Sequence, residues 1–148
     1  MRIAIGADHA GYHLKEALKV GILKEHTVLD LGTDSPERTD YPLFAFRVAG
    51  KVAAGEAELG ILICGTGIGM CMAASRIPGI RAATCTNVYM ARMARAHNDA
   101  NVLCLGGRVL GVGLAEEIVR AFLTTGFEGG RHARRLELLE KGPQGIGG

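Results

Sequence analysis

The densest chemistry in this sequence lies in ICGTGIGM, residues 63–70. Gly65, Gly67 and Gly69 free the backbone to turn, so that successive N–H groups, those of Thr66 and Ile68 among them, can face one ligand. A helix opening at this point adds partial positive charge, and the combination suits an anion. Met70 stands where a dinucleotide fingerprint needs its third glycine, and no Gly-Lys-Ser/Thr follows, so this is neither a dinucleotide loop nor a Walker loop. A tight strand-to-helix turn accounts for the same glycines. Cys64 immediately precedes the turn. There a thiolate is favoured, making Cys64 a candidate nucleophile or proton-abstracting base. The competing reading is a small buried hydrophobe, the commonest fate of a free cysteine.

Other polar residues fall at comparable places. Asp8 and His9 follow the first apolar run, and His97 opens the segment HNDAN before the last one. A histidine there can transfer protons near neutral pH or merely cap a helix. His9 and His13 have the spacing of a metal pair, yet no third ligand accompanies them, so no metal site is expected. Arg131, Arg134 and Arg135, with His132, form a basic cluster after two glycines, and residues 131 and 135 share a helical face. Guanidinium forks match phosphate oxygens, and Arg108 in GGRVLG is placed to join them; a solvated basic face is the plainer alternative. Taken together, the parts are an oxyanion cradle, a base, an acid and a phosphate clamp. Aldose–ketose isomerisation of a phosphorylated sugar through an enediolate needs these parts and no cofactor.

Strands alternating with helices must position these groups. The apolar runs at residues 2–6, 27–31, 59–64, 80–84 and 102–105 read as strands. Helical spacing appears in Leu14, Ala17, Leu18, Gly21 and Ile22, in Phe44, Ala45, Val48, Ala49 and Val52, and in Leu114, Ala115, Ile118, Val119 and Phe122. Residues 68–75, 87–96 and 131–140 complete the helices. Such alternation predicts an α/β fold with a parallel sheet covered on both faces. We read residues 1–141 as a single domain and 142–148 as a flexible tail.

With 17 basic and 15 acidic residues, the net charge is +2, a poor basis for binding nucleic acid. The four cysteines include no CxxC pair and no apolar leader opens the chain, which points to a reduced, cytoplasmic protein. The uncharged stretch from Leu59 to Ser75 is broken by glycines and reads as buried, so no membrane contact is expected.

The runs IGADHAG, ERTDYP, ILICGTGIGM, HNDANVL and GGRHARR, in this order across nearly the whole chain, resemble type B ribose-5-phosphate isomerases and their galactose- and allose-6-phosphate relatives. The resemblance implies a five-stranded Rossmann-like three-layer fold. It also implies a homodimer, or a dimer of dimers, with active sites shared between subunits. Carried over by position, Cys64 is the base that moves the proton, Gly65, Thr66, Gly67, Ile68 and Gly69 form the anion hole, and Thr66 assists at the hydroxyls. His97 resembles the acid that opens the furanose ring, while Asp8 and Asn98 bind sugar hydroxyls. His9, Arg108, Arg131 and Arg135 match phosphate ligands. Asp40 and Tyr41 are second-tier candidates, and Arg134 is expected to be peripheral. One branch of the family places a glutamate base where this chain has Met70, so the base falls to Cys64. Ribose 5-phosphate is the expected substrate. A six-carbon sugar phosphate and a non-catalytic phosphosugar-binding subunit are the alternatives.

Overall fold

The computed structural model describes residues 1–146. Its elements run β1 (Arg2–Ala7), α1 (Tyr12–Val20), β2 (Thr27–Asp30), α2 (Tyr41–Ala53), β3 (Leu59–Cys64), α3 (Ile68–Ala74), β4 (Ala82–Thr84), α4 (Val88–Ala96), β5 (Val102–Gly106), α5 (Val112–Thr124) and α6 (Arg131–Lys141). The five strands form one parallel sheet in the order β2-β1-β3-β5-β4. This is the α/β three-layer arrangement that strand–helix alternation predicts.

Side-chain alternation along the central strands splits the core in two. Ile3, Ile5, Ile61, Ile63, Leu103 and Leu105 face one layer with Leu14 and Leu18 of α1, Ala91 and Ala94 of α4, and Ile118, Val119 and Phe122 of α5. Ala4, Leu62, Cys64, Val102 and Cys104 face the other with Phe44, Ala45, Val48 and Ala49 of α2 and Met70, Ala73 and Ala74 of α3. Because both faces are covered, β1, β3 and β5 are apolar almost throughout. The outer strands β2 and β4 are only half-buried, and β4 is confined to three residues. Leu114, expected on the buried face of α5, is exposed.

Lys15 is a departure from the apolar pattern. Its side chain is wholly buried, with Nζ 2.7 Å from Asp30 Oδ2 and 5.6 Å from the centre of the Tyr12 ring. Lys19 joins the same carboxylate at 2.5 Å. Burial pushes the Asp30 pKa up, but hydrogen bonds from Lys15, Lys19 and the Gly32 N–H more than reverse this and leave it below the ordinary value. Within the proposed tail, Pro143–Ile146 form a 3-10 turn; residues 147 and 148 lie outside the described residues. No helix among the described residues is long and apolar enough to cross a membrane.

Candidate active site

The chain leaves β1 for β2 on one side and passes to β3 on the other, so the carboxyl ends of β1 and β3 flank a reversal of strand order. Such crevices are where open α/β sheets bind ligands. Asp8 follows β1 and donates its backbone N–H to Ile63 O at 3.1 Å, locking it beside the end of β3. Its buried carboxylate turns back, Oδ1 accepting from the N–H groups of Ala10 (2.9 Å) and Gly11 (3.2 Å). Next to it, Nδ1 of His9 accepts the Thr39 N–H at 3.2 Å, which brings the Thr39–Tyr41 segment to the same edge.

Cys64 is the last residue of β3. Its Sγ accepts the Gly67 N–H at 3.2 Å, and the side chain is 5% exposed. Gly67 caps α3 with φ of +83°, a left-handed conformation that strains other residues, and a Cβ here would lie 3.0 Å from the Leu105 backbone. Thr66 Oγ1 accepts the Ile68 N–H at 3.2 Å, so a side chain and a thiol already engage the first donors of the turn. Gly69 lies against the Tyr41 ring, where a Cβ would approach to 2.7 Å. Gly107 N–H donates to Cys64 O at 2.7 Å, and Arg108 N–H to Gly65 O at 3.0 Å. These bonds bring Arg108 over the turn, its guanidinium 3.7 Å from where a Gly65 Cβ would stand. One edge thus gathers Asp8, His9, Tyr41, Cys64, the glycine turn and Arg108. Met70 is fully buried in the core.

The remaining sequence-predicted residues lie elsewhere. His97 caps the carboxyl end of α4, before the chain enters β5 at Val102. Cys64 pairs in register with Gly106 at the far end of β5. The four residue steps from Val102 to Gly106 alone span about 13 Å, so His97 and Cys64 of one chain sit at opposite edges of the sheet. The α6 arginines accompany His97 and not Arg108. The Glu128 N–H leading into α6 donates to Ala96 O at 3.0 Å, and His132 stacks on His97 with ring centroids 4.0 Å apart and planes at 12°. Asn98 lines a cleft of about 480 Å³ with Arg81 and Glu140; neither it nor a second cleft of about 540 Å³ between α1 and α5 includes Cys64. The joining of Arg108 to Arg131 and Arg135, read from the sequence, does not occur within one chain.

His132 was visible in the sequence only as part of a basic run, but it is 5% exposed, with Nε2 buried and unpartnered. Burial, with the neighbouring His97 and Arg131, lowers its pKa. Its pairing with His97 has no signal in a linear sequence, since 35 positions separate them. Cys71, left to packing by the sequence, meets the Cys104 thiol. That hydrogen bond and those from Thr84 and Ser75 outweigh burial and bring its pKa down to about 6, while the Cys104 pKa is raised. Cys71 is nonetheless turned toward β4, its Sγ 3.6 Å from Ala82 O.

A model of the ribose/galactose isomerase family matches residues 3–139. The chain belongs to this family. Its ribose/galactose isomerase relatives include ribose-5-phosphate isomerase B of Escherichia coli, 49% identical over 139 residues and 93% of each chain. Among solved structures, ribose-5-phosphate isomerase B of Clostridium thermocellum superposes with a TM-score of 0.94 at 51% identity, covering 95% of this chain and 96% of that one. The Mycoplasma genitalium enzyme, solved with bound ribulose-5-phosphate, gives a TM-score of 0.89 at 43% identity and covers 95% of this chain and 94% of its own.

Proposed function

We propose that this chain is a sugar-phosphate isomerase that interconverts D-ribose 5-phosphate and D-ribulose 5-phosphate without a cofactor. The observation that carries the reading is Cys64 Sγ at the mouth of the glycine turn, on the strand-order reversal, beside Asp8 and Arg108. The thiolate of Cys64 takes the proton from the carbon beside the carbonyl. The electron pair moves to oxygen, giving an enediolate held by N–H groups of residues 65–69, those of Gly67 and Ile68 turning from Cys64 Sγ and Thr66 Oγ1 to the oxyanion, and Cys64 returns the proton to the neighbouring carbon. Thr66 steadies the hydroxyls on which charge shifts. Asp8 and Asn98 hold sugar hydroxyls, His97 donates the proton that opens the furanose ring, and His9, Arg108, Arg131 and Arg135 bind the phosphate.

This assignment requires two copies, because His97, Asn98, Arg131 and Arg135 of one chain lie across the sheet from its own Cys64. We infer a homodimer in which the second copy brings these four residues over the Cys64 edge. Exposed apolar side chains support it: Tyr41, Leu43 and Phe46 on α2 and Ile68 and Met72 on α3 lie in one helical layer, and Tyr89 and Met90 on α4 are exposed in the other. Residues 1–141 of each copy form the isomerase domain. Four free cysteines suit a reducing cytoplasm.

The purified chain should isomerise ribose 5-phosphate faster than allose 6-phosphate, as kcat/KM measured on both decides. Subunit complementation tests the sharing. Cys64→Ala and His97→Ala homodimers should each be nearly inactive. Unfolding and refolding them together should restore about a quarter of wild-type activity, since half the dimers then hold one intact site. A mixture no more active than its components would overturn the shared site.

A further inference from the structure

Glu128, which leads into α6, and His132 in its first turn both close on His97, the ring-opening acid of the isomerase reading. The Glu128 N–H donates to Ala96 O at 3.0 Å, which fixes its backbone beside the end of α4. Gly129 and Gly130 follow with φ of +69° and +58°, left-handed values that other residues rarely adopt, and turn the chain so that His132 comes back onto His97. The two rings stack with centroids 4.0 Å apart and planes at 12°. His132 is buried, whereas the His97 side chain is 36% exposed. Glu128 Oε1 lies 3.7 Å from Nε2 of His97 and 3.7 Å from Nε2 of His132. At that distance the carboxylate acts through its charge and not as a hydrogen-bond acceptor.

A carboxylate within about 4–6 Å favours the charged form of an imidazole. Burial, His97, Arg131 and Arg135 all disfavour charge on His132, and of these neighbours Glu128 alone favours it. Arg95, in the last turn of α4, pairs with Asp99 at 3.3 Å. His132 is therefore the harder ring to charge, and a proton held by the stack rests on the exposed His97. We propose that Glu128 is a positioning residue for ring opening: its charge, together with the flat contact of His132, holds His97 in place as the imidazolium that donates. This role rests on the isomerase reading. In the step it serves, the bond from the anomeric carbon to the ring oxygen breaks and the ring oxygen takes the His97 proton. The anomeric hydroxyl gives its own proton to water, and its O–H electron pair completes the carbonyl. Glu128 acts on the sugar only through His97.

Glu128→Gln in the full chain removes the charge and keeps the shape. The side chain is exposed and the main-chain bond to Ala96 is retained, so the fold survives. It should lower kcat/KM for ribose 5-phosphate at least about tenfold, part of the roughly 10²- to 10⁴-fold that a general acid contributes. Substrate deuterated at the second carbon separates this from damage elsewhere. With ring opening made limiting, the isotope effect on kcat/KM should disappear in Glu128→Gln, because the labelled bond breaks only in the later Cys64 step. Glu128→Asp, which keeps the charge, should recover most of the lost activity. Unchanged kcat/KM, a loss that keeps a full isotope effect, or Glu128→Asp as poor as Glu128→Gln would overturn the role of Glu128. A wild-type chain inert toward ribose 5-phosphate would instead overturn the isomerase reading, and His97→Ala with a full isotope effect would overturn the ring-opening role of His97.

Discussion

At the carboxyl edge of the sheet, Asp8, Cys64 and Arg108 are tied together through the main chain: Asp8 N–H to Ile63 O, Gly107 N–H to Cys64 O, Arg108 N–H to Gly65 O. At the opposite edge, one main-chain bond from Glu128 to Ala96 leads into α6. Beyond that bond, His97 and α6 rely on ring stacking with His132 and a half-exposed ion pair between Arg81 and Glu140 at 3.2 Å. The first edge inherits its geometry from the sheet, whose register leaves little freedom. The second is assembled from side chains, which makes it more adaptable and more dependent on its neighbours. The difference suits the roles proposed for Cys64 and for the α6 arginines: proton transfer between adjacent carbons demands placement to a fraction of an ångström, whereas capture of a phosphate tolerates some play.

The comparison breaks most decisively at Cys64. Cys64→Ala should lower kcat by about 10²- to 10⁴-fold, the range of a lost general base, while inorganic phosphate still competes with substrate as in the wild type. Unchanged turnover would remove the thiol from the mechanism.

Asp30→Asn tests how far the carboxyl edge depends on what lies beneath it. It leaves the ammonium of the wholly buried Lys15 without its carboxylate and should cost about 3 kcal/mol of stability in denaturant unfolding. The pH dependence follows from the lowered pKa of Asp30. Its folded-state value is below the unfolded one, so its contribution is fully present above the unfolded carboxylate pKa and is lost as pH falls through the folded value. Wild type should therefore lose stability more steeply than Asp30→Asn on acidification below about pH 4.

The opposite edge should respond in binding instead. Arg131→Ala should raise KM roughly tenfold or more, the worth of a charge-assisted hydrogen bond to phosphate, with kcat nearly kept. Arg134→Ala, one turn along the same exposed helix, should change KM by about twofold at most. Equal effects of the two would mean that α6 acts through its general charge and not through a positioned clamp.

The fold was largely legible because burial on both faces writes unbroken apolar runs into β1, β3 and β5. Cys64 and the glycine turn were legible because strand end, turn and helix start are contiguous in sequence. Lys15 was not legible. Helical spacing brings it to the buried side, but only the folding of β2 beside α1 supplies Asp30 to make a charged residue tolerable there. Likewise the basic cluster named Arg131 and Arg135 without revealing which edge they serve.

The sequence by itself determined the alternation of strands and helices, the thiol at the end of the third strand and the arginines that open the last helix, since each is a property of neighbours along the chain. The tertiary structure alone decided that Cys64 and His97 stand at opposite edges, that His132 stacks on His97 with an unsatisfied nitrogen, and that Lys15 meets Asp30. Those are relations between residues far apart in sequence. Strand order and helix packing create them, and no local pattern encodes which distant partner will arrive.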